Sequence, residues 1–488
     1  LNLEKEKLKG KMKIILGNNK SLLKGETKWI LKLRDHPLMA IRAKGAFFSP
    51  AFQRRQWDGF IRFISERGYV ETGKVPQVIS ILNEWKINVE IIDEREIIKP
   101  IDIPNQIGPY ELRDDQRDAV MVVTLNSIRS KPTSFVAVPF PRGILFAATN
   151  FGKTITSAAI HLAYNKKTIF LLNSKELFND AAREMPRMLP GKVGFISSEH
   201  GVKWNDFMIV MVQTAKSRIQ MVGQRLASYP VVLVDEGDLA TSPSYKEVLG
   251  YTFNSFVRIA LSGSAMVDKR KKEKNERLRA IFGDIIYEKR NRELMDEGTS
   301  AEVKVNILPG NIKVISKGDF VDEYDRGIIR SKERNTMIIR RLKFHLKKGR
   351  KPILIMVKNH LHVKILFNRI DKDPDLIKYS MDWVHHKRED RFKITKRFED
   401  GKLNILVGSY ILKRGKNFPW MRVLINGSAG DSMANVLQIL GRLTRIHESK
   451  EYSIIDDFFD EGFYLKRHSK HRLSTYKNEK LKIKNYYK

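Results

Sequence analysis

Three pairs of side chains in this sequence have types and spacings that suit phosphoryl chemistry. The first is Lys153-Thr154, at the end of Ala147-Ala148-Thr149-Asn150-Phe151-Gly152-Lys153-Thr154. A lysine there pairs with β/γ-phosphates, and a threonine hydroxyl is a hard oxygen ligand for Mg²⁺. The loop residues Thr149, Asn150, Phe151 and Gly152 would turn their backbone N–H groups toward the phosphates. The second pair is Asp235-Glu236, in Val231-Val232-Leu233-Val234-Asp235-Glu236-Gly237-Asp238. Asp235 is placed to hold the metal, and Glu236 to orient and deprotonate an attacking water. The third pair is Arg442 and Arg445, three positions apart and read as one helical face. Guanidinium groups suit the charge that develops on a transferring γ-phosphoryl group. Each pair also has a plain alternative: a Gly-Lys turn, an acidic turn after a core strand, and a basic surface helix.

These groups act together only if the chain places them together. Residues 143–148 form an apolar run just before the loop, and 155–163 have a helical pattern just after it, the strand–loop–helix context a phosphate loop needs. From Tyr110, apolar runs at 168–172, 208–212, 231–234 and 258–261 alternate with amphipathic stretches, which predicts a parallel α/β sheet. A second alternating region has runs at 353–357, 404–407, 423–425 and 452–455. Residues 303–349 read as a polar connector ending in a long helix near 332–347. Residues 12–100 read as a small α+β unit with strands at 13–16, 29–33, 60–64 and 89–93 and a helix at 75–85. A Pro-containing linker follows, and the residues from 466 read as a basic, frayed tail.

Composition narrows the partner. With 488 residues and 42% hydrophobic residues the chain can build about three domains with sizeable cores. A net charge of +34 favours a polyanion, most often nucleic acid. The absence of cysteine excludes disulfides, thiolate zinc sites and thiol nucleophiles, and fits a reducing cytoplasm. No apolar run approaches the length of a membrane span. The chain starts on Leu1 while Met12 begins a strand-like run, so residues 1–11 read as an extension.

The order of these motifs resembles the superfamily 2 helicases, which implies two tandem RecA-like domains. In Leu112-Arg113-Asp114-Asp115-Gln116 the resemblance implies that Arg113 and Gln116 serve adenine recognition. Asn173-Ser174-Lys175 and Val212-Gln213-Thr214 resemble two elements that contact a strand backbone, which implies Ser174, Lys175, Gln213 and Thr214 as DNA contacts. Leu261-Ser262-Gly263-Ser264-Ala265 resembles the coupling element. Residues 353–359 resemble a further strand-contacting element, implying Lys358. The segment from Gly408-Ser409-Tyr410 to Gly415-Lys416-Asn417 implies Ser409 and Tyr410 on DNA and Gly415 on the nucleotide. Gln438-Ile439-Leu440-Gly441-Arg442-Leu443-Thr444-Arg445 matches the family's last motif and adds Gln438 to the catalytic set.

Further upstream, Arg54-Arg55-Gln56-Trp57-Asp58-Gly59-Phe60 resembles a segment of the UvsW-type phage helicases. That group implies ATP and Mg²⁺ as cofactors and ATP-driven remodelling of single-stranded, forked and Holliday-junction DNA and of RNA–DNA hybrids, in phage recombination, repair and replication. It further implies a monomer in the host cytoplasm, with no membrane partner. Arg54 and Arg55 suit phosphate contact and Trp57 suits base stacking, although Trp57 suits a core position equally well. The resulting domain reading is 1–100, 101–300, 301–465 and a tail at 466–488. An RNA helicase and a basic scaffold with weak motor activity are the rival readings.

Some residues depart from the family pattern. Ala147 replaces the first glycine of the phosphate loop, and Ala148-Thr149-Asn150 stand where the family has Pro-Thr-Gly; asparagine tolerates unusual loop angles. Asn417 stands where many relatives carry Asp. Gln116 lies far ahead of Lys153, and the surplus, 129–142, reads as a β-hairpin whose strands would be 135–138 and 144–147. That hairpin either touches the duplex or extends the sheet. His360, His362, His385 and His386 read as surface or DNA-facing histidines rather than metal ligands. Residues 268–274 read as a solvated basic loop.

Overall fold

The computed structural model describes residues 10–310, 319–385, 388–409 and 418–487. The chain divides into two compact units, Leu1–Ala147 with Gly152–Glu288, and Ala148–Phe151 with Lys289–Lys488. Among the described residues no helix is long and apolar enough to cross a membrane.

The first unit holds an eight-stranded sheet in the order Gly201–Lys203, Val193–Ser197, Phe207–Met211, Thr168–Leu172, Val231–Asp235, Val257–Ser262, Arg142–Ala147, Ile285–Lys289. The strands from Val193–Ser197 to Arg142–Ala147 pair in parallel. Helices cover both faces of such a sheet, so its central strands are apolar throughout rather than alternating. Every residue of Val231–Asp235 and Val257–Ser262 is buried. Register aligns Asp235 with Leu261, and Phe146 with Ser262. The carboxyl ends of the strands, where ligands bind in such sheets, therefore share one edge.

A four-stranded sheet, Tyr69–Glu71, Lys20–Gly25, Lys11–Leu16 and Asn88–Asp93, lies in the same unit. Met12, Ile14 and Leu16 point inward and alternate with exposed or half-buried neighbours, the mark of a one-sided strand. Its helix Val75–Glu84 carries Pro76 in its first turn and buries Val78, Ile79, Ile81 and Leu82. Residues 29–33, expected as a strand, belong to the helix Thr27–Arg34. Ile30 and Leu33, three apart, are its buried face. Lys74 is fully buried and pairs with Glu276 of the helix Lys272–Phe282. Gly73 presses against that helix so closely that a Cβ would overlap the carbonyls of Arg279 and Ala280.

The expected hairpin exists with different strands. Ser127–Arg129 pairs antiparallel with Ala137–Pro139, while 144–147 belongs to the central strand Arg142–Ala147. Pro141 separates them. Ile128, Phe140 and Val138 pack into the core of the N-terminal sheet.

The second unit holds seven strands in the order Met381–Val384, Ile405–Gly408, Ile353–Met356, Val423–Asn426, Tyr452–Phe459, Glu302–Pro309, Lys482–Asn485, all paired in parallel. Two expectations fail here. Residues 302–309 are a sheet strand rather than connector, with Val303, Val305 and Ile307 inward at period two. Residues 463–485 are not a frayed tail. The helix Phe463–Asn478 buries Leu465 and Tyr476, and Lys482–Asn485 adds an edge strand. The tail's charge misleads because much of it is paired: Arg472 is buried with its Nε 3.0 Å from Asp457 Oδ2, and Tyr476 donates its hydroxyl to the same oxygen at 2.7 Å. The long helix Lys332–Lys347 is present where expected, and Arg341 and His345 both bond to the buried Asp456.

Candidate nucleotide and nucleic-acid sites

Arg142–Ala147 delivers its chain to the loop 148–152, and the helix Lys153–Tyr164 follows directly. That helix buries Thr156, Ala159, Ile160 and Ala163, the spacing that holds one face against a sheet. Asn150 and Gly152 both take left-handed backbone, with φ of 76° and 89°. Asparagine tolerates that region; at Gly152 a side chain is doubly excluded, because a Cβ would also overlap the Gln116 amide. Gln116 is thus folded against the loop. It is fully buried, and its Oε1 accepts the Arg113 N–H at 3.2 Å. The Arg113 guanidinium is held by both Asp115 oxygens at 3.0 Å. Within the second unit, Asn150 Nδ2 donates to Thr444 Oγ1 at 3.0 Å.

Asp235 closes its strand on the same edge. It is 7% exposed, and among the described residues no donor reaches its Oδ1. Burial raises its pKa, the nearby Lys153 opposes that rise, and Asp238 adds to it. Glu236 follows in left-handed backbone, φ 50°, an uncommon place for glutamate. The turn is tight: a Cβ on Gly237 would come within 2.5 Å of the Ala260 methyl. Asp238 links this turn to the next strand, accepting from Ser262 Oγ at 3.5 Å and facing Lys274 Nζ at 3.5 Å. Reading the sequence pair by pair missed that link; its signal was the second aspartate in Asp-Glu-Gly-Asp.

The other first-unit candidates are held in varied states. Ser174 Oγ accepts the Leu177 N–H at 3.1 Å, so it caps the helix Lys175–Met188. Lys175 pairs with Glu199. Gln213 bonds to Asn173, and Thr214 lies in the helix Val212–Ser217. Arg54 and Arg55 are exposed. Trp57 is half-buried, and its indole N–H donates to the Phe60 carbonyl at 2.8 Å, so the ring braces a turn rather than offering itself to a base.

In the second unit Gln438 and Arg442 lie on the helix Met433–Leu443, capped by Ser432. Arg445 falls beyond the capping residue Thr444, so the pair does not share a helical face as expected. Lys450 holds the end of this helix. Its buried ammonium donates to the Leu443 carbonyl at 2.9 Å, and burial, with Arg445 nearby, lowers its pKa to about 8. Lys358 is exposed beside Phe320 and Tyr324. Ser409 is buried. Tyr410, Gly415, Asn417 and His386 lie outside the described residues. His362, expected at the surface, is a core residue. Its Nε2 lies 2.8 Å from Asn335 Oδ1, and burial lowers its pKa to about 3. His360 stacks on His385 at 4.5 Å. Asp268, expected in a solvated loop, is buried and holds Arg270 with both oxygens.

Family models match both sheets in order. Residues 109–265 match the res subunit of type III restriction enzymes, and residues 334–447 match the helicase conserved C-terminal domain. The ATP-dependent DNA helicase uvsW of Enterobacteria phage T4 is 23% identical over 92% of this chain and 93% of its own. The chain belongs to the superfamily 2 helicases, of the UvsW type. As a superfamily 2 helicase it is an ATP-dependent enzyme, and nucleic acid is its class of partner. Two solved structures share the fold. The type ISP restriction-modification enzyme LlaBIII bound to DNA has a TM-score of 0.54 at 13% identity, over 81% of this chain and 33% of that one. Dbp5 of S. cerevisiae, bound to RNA and ADP BeF3, has a TM-score of 0.50 at 13% identity, over 77% and 89%. In the helicase frame the first sheet carries the phosphate loop and the acidic turn, and the second carries the arginine motif.

Proposed function

We propose that this helicase is a DNA translocase that uses ATP hydrolysis to remodel branched DNA: forks, Holliday junctions and RNA–DNA hybrids. The observation that carries the nucleotide half is the shared sheet edge of Lys153, Thr154, Asp235 and Glu236, with a buried carboxylate oxygen that meets no donor among the described residues. That oxygen and the Thr154 hydroxyl are hard donors and fit Mg²⁺. Among the described residues no cluster of three metal-ligating side chains exists, as expected for an ion that takes one or two protein oxygens plus water and phosphate. Bound Mg²⁺ would neutralise phosphate charge.

In this reading Lys153 holds the β/γ-phosphates, and Glu236 accepts the proton of the attacking water. Gln438 orients the groups at that water, and Arg442 and Arg445 stabilise charge on the γ-phosphoryl group. Gln116 and Arg113 sense the base, and Gln116 reports on the loop through Gly152. The net charge of +34, and the phage T4 relative named as a DNA helicase, support DNA as the track. Arg54, Arg55, Lys175, Gln213, Thr214 and Lys358 are its contacts. The chain acts as a monomer in the host cytoplasm.

ATP hydrolysis measured with forked DNA, a four-way junction, single-stranded DNA and duplex RNA tests this. Stimulation strongest on the branched DNAs supports it, and stimulation by RNA alone overturns it.

A further inference from the structure

Between the paired strands Ala40–Arg42 and Phe60–Arg62 the chain makes an excursion that is built like a platform. Gly45 turns at φ 74°, and the short 3₁₀ turn Ala46–Phe48 closes with Phe48 N–H donating to the Gly45 carbonyl at 2.9 Å. Ala46 is buried beneath it, and a Cβ on Gly59 would come within 3.1 Å of the Phe52 ring. Trp57 braces the return through its bond to the Phe60 carbonyl. This fixed turn holds two phenylalanines in solvent: Phe48 is 86% exposed and Phe47 58%. The Arg42 guanidinium lies 4.5 Å from the centre of the Phe47 ring, and Phe52 meets that ring edge-on.

The charge within this excursion has one sign. Residues 40–57 contain Arg42, Lys44, Arg54 and Arg55 and no acidic residue. Asp58, just beyond, is taken by Arg62 at 2.5 Å. Arg55 holds left-handed backbone at φ 57°, uncommon for arginine. The platform is also tied to the motor. The Lys44 N–H donates to Glu273 Oε2 at 3.1 Å, in the first turn of the helix Lys272–Phe282. That helix starts a few residues after Ser262–Ala265, so the platform stands at the edge of the sheet that carries the phosphate loop.

An exposed aromatic face flanked by arginines matches one ligand chemistry: a nucleobase to stack on, with its flanking phosphates held. Bases inside a duplex already have both faces stacked, so the partner is unpaired. We propose that Phe48, backed by Phe47, stacks on an unpaired nucleotide of the branched DNA, with Arg42, Arg54 and Arg55 on the adjoining phosphates. The stacking role expected of Trp57 thus passes to Phe48. The inference rests on the reading of this helicase as a DNA enzyme.

The test uses the full chain and forked DNA with 2-aminopurine in the single-stranded arm. Wild type is expected to quench the probe on binding. Phe48→Ala should lose the quench and weaken single-stranded DNA binding about tenfold. Phe48→Trp should restore both, and binding to blunt duplex should be the same in all three. Phe48 is exposed, so equal thermal midpoints would show that the variants are folded. Equal quenching and affinity in wild type and Phe48→Ala overturn the stacking role and leave the DNA reading intact. Failure of wild type to bind forked DNA at all overturns both.

Discussion

The first unit carries charge and exposed aromatics at both edges of one parallel sheet, and the two edges differ in how those groups are held. At the carboxyl edge Asp235 keeps an oxygen that meets no donor among the described residues, Glu236 stands in left-handed backbone, and Phe48 stands in solvent. At the amino edge Arg142 is buried at the start of its strand, and its two terminal guanidinium nitrogens are held: they donate to the Asn18 carbonyl at 2.6 Å and the Ile281 carbonyl at 2.8 Å, while its Nε meets no acceptor among the described residues. Burial holds its pKa well below the ordinary arginine value. Arg258 likewise donates to Thr252 and Ser255, and burial lowers it to about 10. The hairpin there also displays an aromatic, Phe135, fully exposed, but its base is sealed into the N-terminal core through Phe140. Through its bond to the Asn18 carbonyl, buried Arg142 fastens the N-terminal sheet to the motor. Charge left with open valence, on the edge where strands end, is available to a ligand.

Four substitutions probe this contrast. The largest effect belongs to the carboxyl edge: Glu236→Gln should lower kcat for ATP about a thousandfold while DNA binding stays within twofold, as measured by steady-state hydrolysis and anisotropy. Next, Arg142→Met should leave two carbonyls unpaired and cost about 3 kcal/mol in denaturant unfolding, with kcat per folded molecule little changed. A large loss of kcat without loss of stability would erase the distinction between edges. Third, Asp235→Asn should abolish hydrolysis and yet raise the thermal midpoint of the nucleotide-free protein by about 2–4 °C at neutral pH. The sign follows from the direction of the shift. A carboxyl whose folded pKa is raised carries no ionisation penalty below its unfolded value; the penalty grows as pH rises toward the folded value and is constant above it. The gain from Asn should therefore vanish in acid. The smallest effect is expected at the hairpin tip: Phe135→Ser should leave strand separation within about twofold, whereas Phe48→Ala should not. Strand separation lost with Phe135→Ser would return the hairpin to the DNA.

Much of this contrast was legible in the residues. The phosphate loop declares itself because an apolar run, a Gly-Lys-Thr and a helical pattern coincide, and Asp235-Glu236 follows a run that only a buried strand explains. Local patterns misled where tertiary packing decides. Trp29 to Leu33 is apolar enough for a strand, but the spacing of Ile30 and Leu33 made it a helix. The charged stretch from 466 looked solvated because its partner, Asp457, is on another strand. Arg442 and Arg445 were set on one face by counting, and the helix ended between them. Exposure was the least legible property. Nothing in the sequence separates Trp57, which braces a turn, from Phe48, which faces water; only the excursion between two short strands sorts them.

The most direct test of the account is ATP turnover by the full chain with a four-way DNA junction, wild type beside Glu236→Gln. The account predicts junction-stimulated hydrolysis by wild type and about a thousandfold less by the variant, at equal junction affinity. Equal turnover by the two proteins, or turnover indifferent to DNA and raised by duplex RNA, would contradict it.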